Sequence, residues 1–449
     1  MSLDTASGSA ATDEGSGYSE EEAEAAEPLP ASGYRTYEVY QRERTGETTN
    51  LLKPRQLISR DFADDPYPLL GILRENYPCY RDWVGNRFWI TRYDDVTSLI
   101  ADEANFETRS KRWFYGRPDL GRDLNGHLPV AWARADAIDA HVEPVTAAII
   151  DRLRDGGGGD LATEFAASLP LALWGRALAL PEEDLAAFSA RYWRMQRGWS
   201  WDPVAQKDGL AAIDELVAYV EPLLAARRAD PGDDMISAMA TLELPDGPAT
   251  AADVVTTILE PDHETLHGAL ANLWFLLLTH PEQFAVVRDE PRMMKFAYLE
   301  TLRHSTPVLS AMRFARHEVE RFGRLLPAGA LAYCSAAAAN RDPRAFADPD
   351  TFIVGRKDLC QREPRGQFRA DGLPAGVAPG FGKPTIHPAV PKERPRSVYA
   401  VTRDTATTAS RMLLDAFPSL ALADGAEPRL RSLRIGEMHT CWSLPVQVS

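Results

Sequence analysis

Apolar residues fall at helical spacing over most of this chain. Between Glu143 and Arg154, Val145, Ile149, Ile150 and Leu153 line one face, a stripe that predicts an amphipathic helix. Residues Val254 to Leu278 are apolar almost throughout and predict a long central helix. Pro261 lies inside that run, where it removes one helical hydrogen bond and kinks the axis. A further helical stretch runs from about Val398 to Leu414, and Gly156 to Gly159 predict a short loop between helical patterns. Trp174, Trp193, Trp199 and Trp201 lie among these helices, where aromatic rings serve packing more often than recognition.

At 449 residues and 45% hydrophobic the chain can bury a large core, and no Gly/Ser/Pro linker divides its middle. A net charge of −16 argues against nucleic acid or an anionic membrane as partner, because either demands basic patches. No apolar run at the N-terminus suggests a signal peptide or anchor. Residues 1–33 are rich in Ser, Gly, Ala and Glu, with no basic residue before Arg35. Such a stretch buries too little to offset its ordering entropy and is expected to be a disordered, solubilising tail. The expected division is therefore a tail over 1–50 and a single domain over 51–449. Cys79, Cys334, Cys360 and Cys441 show neither paired nor metal-like spacing and suit a reducing cytoplasm.

Several blocks carry more specific information. Glu300-Thr-Leu-Arg303 places an acid and a guanidinium three residues apart on one helix face, able to act as a buried bidentate pair. Met312-Arg313-Phe314 follows, and then Ala-Ala-Asn-Arg-Asp-Pro-Arg-Ala-Phe-Ala-Asp-Pro-Asp-Thr-Phe over 338–352. Residues 378–391 read Ala-Pro-Gly-Phe-Gly-Lys-Pro-Thr-Ile-His-Pro-Ala-Val-Pro. In order and spacing these blocks resemble the cytochrome P450 superfamily, whose haem loop is Phe-Gly-x-Gly-x-His-x-Cys-x-Gly. Arg87-Phe-Trp-Ile-Thr-Arg-Tyr-Asp-Asp-Val resembles that family's first hairpin and B helix, so the likeness covers roughly residues 55–449.

The resemblance implies a mainly α fold with small β-sheets and a long central I helix. It implies that Glu300 and Arg303 are a structural pair and that Arg313 binds a haem propionate. It also exposes departures. Phe381, Gly382 and His387 remain, but Pro388 or Ala389 stands where the family has its thiolate ligand, and neither can coordinate iron. The I-helix pattern Ala-Gly-x-Glu/Asp-Thr, which shelters oxygen and delivers protons, becomes Pro261-Asp262-His263-Glu264-Thr265. Glu264 and Thr265 are the candidate catalytic residues, expected as inherited remnants. The C-helix His-x-x-x-Arg is missing between Asp119 and Trp132, with Arg122 and His127 as the available bases.

His263-Glu264-x-x-His267 also spells the His-Glu-x-x-His pattern of zinc proteases, two imidazoles on one helix face. No third ligand is evident, and no metal is expected. The expected function is accordingly a haem-free auxiliary protein. Cysteine-less relatives of this family act as activators of glycosyltransferases, and the chain resembles them, which implies an enzyme as protein partner. Two alternatives stand beside this: a haem-binding oxidoreductase with His387 as axial ligand, and a haem-independent enzyme using Glu264 or His263. A small apolar ligand in the interior is compatible with each.

Overall fold

The computed structural model describes residues 52–117, 119–128, 136–200, 202–260, 264–361, 369–370, 372–380, 398–433 and 438–448. The acidic tail, Pro261 to His263 and the loop from Phe381 through Ala389 lie outside these residues, as does the side chain of Glu264. Helices dominate. Those that shape the interior are α1 (Asp136–Asp155), α2 (Leu185–Gly198), α3 (Pro203–Ala229), α4 (Ala251–Leu259), α5 (Glu264–Thr279), α6 (Met294–His304) and α7 (Val398–Ala416). Among the described residues no helix is long and apolar enough to cross a membrane.

The central apolar run forms two helices, α4 and α5, on either side of Pro261. Helix α4 starts on a reciprocal cap. Thr250 Oγ1 accepts from the Asp253 amide at 3.2 Å, and Asp253 Oδ2 accepts from the Thr250 amide at 2.8 Å. Helix α5 is buried on nearly every side, and its Trp274 donates to Ser410 Oγ on α7 at 3.2 Å. Asn272 on α5 reaches further, donating to the carbonyls of Ser305 at 2.8 Å and His439 at 3.1 Å. One buried amide thus ties α5 to the end of α6 and to the C-terminal hairpin. Helices α2 and α3 cross where Gly198 meets Gly209; a Cβ on either would lie 2.8 Å from the other's Cα, so only glycine allows the approach.

A five-stranded sheet flanks the helices. Its strands are β1 (Cys79–Asp82), β2 (Arg87–Ile90), β3 (Phe106–Glu107), β4 (Ser310–Ala315) and β5 (Leu331–Ser335), in spatial order β1-β2-β5-β4-β3. The β1–β2 turn is fixed by Asp82, which accepts from the Gly85 amide, Arg87 Nε and Trp89 Nε1. Gly156 to Gly159 behave differently from the expected loop. Gly158–Asp160 form a strand paired with Pro445–Gln447, and a Cβ on Gly158 would sit 2.2 Å from the Val446 carbonyl oxygen. The glycines there serve a close strand approach as well as a turn.

Glu300 and Arg303, both fully buried on α6, make a bidentate pair at 2.7 and 2.8 Å. Arg303 also donates to the carbonyls of Asn340, Pro349 and Thr351, at 2.8, 2.7 and 3.2 Å. Glu300 Oε1 additionally accepts from the Ile353 amide at 3.1 Å and from Arg356 Nη1 at 3.2 Å. Glu300→Ala strands the Arg303 guanidinium in the interior, while Arg356 keeps Asp358 as partner, and is expected to cost about 3–5 kcal/mol. Thermal and denaturant melts of the purified variant measure this loss; wild-type-like melting would show that the pair is dispensable.

Candidate functional site

One face of α4, just ahead of the Pro261–Thr265 pattern, is polar. Asp253, Thr257 and Glu260 recur at i, i+4 and i+7 and so lie on one side of the helix. Each is engaged by the segment Ser110–Leu128. Glu260 accepts from the Lys111 amide at 3.0 Å, the Arg112 amide at 3.4 Å and Arg112 Nε at 3.0 Å. Asp253 accepts from the Arg122 amide at 2.6 Å and from Arg122 Nε and Nη2 at 3.2 and 2.7 Å. Thr257 Oγ1 accepts from the Leu124 amide at 2.9 Å, and its carbonyl accepts from Asn125 Nδ2 at 3.0 Å. Burial alone would raise the Asp253 carboxyl, but the bonds from Arg122 and Thr250 outweigh it and hold the group down at about 2. Arg122 is therefore committed to Asp253, and His127 lies at the surface; neither takes the place of a C-helix propionate base among these contacts.

Thr265 is buried at the start of α5, and its hydroxyl donates to the Gly380 carbonyl at 3.3 Å. In the arrangement the resemblance implies, a macrocycle lies between these two elements, the alcohol on one face and the ligand loop on the other. Van der Waals contact takes about 3.5–4 Å on each face, roughly 7–8 Å in all. The direct bond leaves no such clearance between Thr265 and Gly380. Arg313 on β4 tells the other half. It is half-buried, burial pulls its guanidinium down, and its Nη1 donates to the Met312 carbonyl at 2.9 Å. Among the described residues no carboxylate comes within ion-pair distance of it, so an anionic group would suit this position.

His267, the second histidine of the His-Glu-x-x-His pattern, is buried between Trp193 and Trp442, with ring centroids at 5.4 and 5.7 Å. Its Nδ1 has no partner among the described residues. Burial lowers its pKa to about 4, opposed by a hydrogen bond to the backbone of Ala162. No group of three His, Cys, Asp or Glu able to hold a metal occurs among the described residues. None of Cys79, Cys334, Cys360 and Cys441 forms a disulfide, and all four are buried. Burial pushes the thiols of Cys334 and Cys441 up to about 12.

Sequence reasoning singled out neither Asp253, Thr257 and Arg112 nor the third member of the α6 cluster, Arg356. Asp253 serves the Thr250 cap and also pairs with Arg122, a long-range role that no local pattern shows.

No model of a known protein family matches the chain. It is 31% identical over 349 residues to cytochrome P450 107B1 of Saccharopolyspora erythraea, covering 70% of this chain and 83% of that one. It is 33% identical over 232 residues to 6-deoxyerythronolide B hydroxylase of the same organism. That match covers 50% of this chain and spans only 55% of the relative's length. Among solved structures, P450BioI in complex with an acyl carrier protein ligated to hexadec-9Z-enoic acid superposes with a TM-score of 0.69 at 21% identity. The superposition covers 87% of this chain and 99% of that one, a likeness of fold.

The buried histidines set an acid limit. Burial lowers His267 and His439 to about 4, from the ordinary 6.5; at His439 the charge of Arg341 adds to the effect. Both are neutral in the fold and protonate near 6.5 on unfolding, so their contribution is complete above that pH and is lost as pH falls toward 4. For His267 the loss is on the order of 3 kcal/mol. His267→Phe keeps an aromatic ring between the tryptophans and is expected to flatten the fall in melting temperature between pH 7 and 4.5. Melting curves of both proteins across that range check it; parallel curves would overturn the assignment.

Proposed function

The chain belongs to the cytochrome P450 superfamily, and within it we propose a member that does not run haem–thiolate chemistry but serves as an auxiliary protein, binding and activating a partner enzyme. The observation that carries this reading is the loop sequence. Pro388 or Ala389 stands at the thiolate position of the pattern, and all four cysteines lie elsewhere, buried in the fold. A haem without that ligand loses the electron donation that favours O–O cleavage. Two further observations support it: the Thr265–Gly380 bond, and a polar α4 face already saturated by protein groups. One of the relatives is named a hydroxylase, so the divergence would be one of chemistry within a retained fold. A family member seated on an acyl carrier protein supports the use of this fold as a protein-docking frame. The partner class implied by the resemblance is a glycosyltransferase.

A second reading rests on Arg313. Its guanidinium, without a carboxylate partner among the described residues, favours a bound anion such as a haem propionate, with His387 as the axial ligand.

Spectra separate the two readings. The purified full-length chain, given excess haem, is expected to show no Soret band and no thiolate-type band with carbon monoxide after reduction. Pro388→Cys and Ala389→Cys are expected to restore neither, because Pro384, Pro388, Pro391 and Pro395 restrict the turn that must aim a thiolate. A histidine-type haem spectrum lost in His387→Ala would establish the second reading. A stable thiolate spectrum from either cysteine variant would mean that the pocket is intact.

A further inference from the structure

Strand β1 is an edge of the five-stranded sheet, and the turn that joins it to β2 is tightly built. A Cβ on Gly85 would lie 2.5 Å from both Asp82 Oδ2 and Arg87 Nε, so only glycine fits there. Asn86, exposed with φ at +46°, turns its side chain back to accept from Arg81 Nη2 at 2.6 Å. Arg81 Nη1 donates to the carbonyls of Asp82 and Arg87, both at 3.3 Å. The same guanidinium lies against the rings of Trp83 and Phe88, 4.7 and 4.8 Å from their centroids. A guanidinium has five N–H donors in a planar fork. These bonds leave the Nε–H and one Nη2–H of Arg81 without a partner among the described residues.

The charge of Arg81 is also unanswered. Among the described residues no carboxylate comes within ion-pair distance of it, whereas Arg112, Arg122 and Arg356 hold Glu260, Asp253 and Asp358. The neighbouring acid, Asp82, is buried and spent: it accepts from the Gly85 amide, Arg87 Nε and Trp89 Nε1. Burial pulls the Arg81 guanidinium down, and the nearby charge of Arg324, on the strand Arg324–Leu326, adds to the effect. A local excess of cation thus stands on a chain whose net charge is −16. Val84, at the tip of the turn, is a large apolar residue exposed to solvent.

We propose that the β1–β2 turn is a docking point for an acidic segment of a protein partner, with a carboxylate on Arg81 and an apolar neighbour against Val84. Two remaining N–H donors suit the two oxygens of a carboxylate. Arg81 is already held by three bonds and two rings, so little side-chain freedom is lost on binding. Charge selects the site, because the negative charge of the chain repels such a segment elsewhere while Arg81 and Arg324 attract it here. The inference goes beyond the haem question, since this turn offers the same donors whether or not the chain binds a porphyrin.

Fluorescence anisotropy on the full-length protein at low ionic strength tests it, with a fluorescein-labelled peptide of alternating glutamate and leucine as the probe. Saturable binding is expected, weakened about tenfold or more in Arg81→Gln. Val84→Asp places a like charge and removes the apolar contact at an exposed position; it is expected to act in the same direction and replaces Arg81→Gln if that variant fails to fold. Arg292→Gln removes an exposed cation on a different element and is expected to leave binding unchanged. No saturable binding by the wild-type protein overturns the proposal, as does an equal loss in Arg292→Gln. Unchanged binding in Val84→Asp, or in a folded Arg81→Gln, overturns it too. Displacement of the peptide by an equal concentration of inorganic phosphate would show a small-anion site and likewise overturn it.

Discussion

Two charges with no access to water hold the frame of this molecule. Taking a carboxylate and a guanidinium out of solvent costs several kcal/mol each, and their mutual attraction offsets it only when the remaining donors and acceptors are satisfied. Glu300 and Arg303 meet that condition. Every neighbour that satisfies them is backbone or Arg356, and most of it comes from the single stretch 340–356. Asn340 then passes the constraint on. It donates to the Val377 carbonyl at 2.8 Å and accepts from the Val377 amide at 2.7 Å. Gly376 packs so closely that a Cβ would lie 3.3 Å from the Arg303 backbone. The position of Gly380, and with it the bond to Thr265, therefore descends from a charge pair on a different helix.

Two unlike sets of contacts hold the chain against α4 and α5. At the start of α5 a neutral hydrogen bond from Thr265 to Gly380 ends a chain of backbone contacts anchored in a buried ion pair. Along α4, Asp253 and the Glu260 that follows its last turn grip amides and guanidinium groups of the 110–128 segment.

Much of this was legible in the sequence where the controlling distance is short. Glu300 and Arg303 are three residues apart, so spacing alone put them on one face. Pro261 inside the central apolar run predicts a kinked axis, and the run is described as two helices, one on either side of it. What escaped was long-range. Arg356 joins Glu300 across 56 residues, Arg122 meets Asp253 across 131, and the Arg112 amide reaches Glu260 across 148. No periodicity links such positions, and an acid in an apolar helix reads locally as damage when its partner is elsewhere. Asp253 and Glu260 are satisfied groups. Gly158 gave the same lesson, because the strand it joins lies at the far end of the chain.

The four buried thiols, none of them in a disulfide, have a practical meaning of their own. Alkylating reagents attack the thiolate, and burial both hides these sulfurs and, at Cys334 and Cys441, keeps them protonated far above neutral pH. The folded chain therefore offers a chemically silent background. A single cysteine placed anywhere on the surface becomes the one reactive handle, so probes, crosslinkers and fluorophores can be attached at chosen positions without first stripping the native residues.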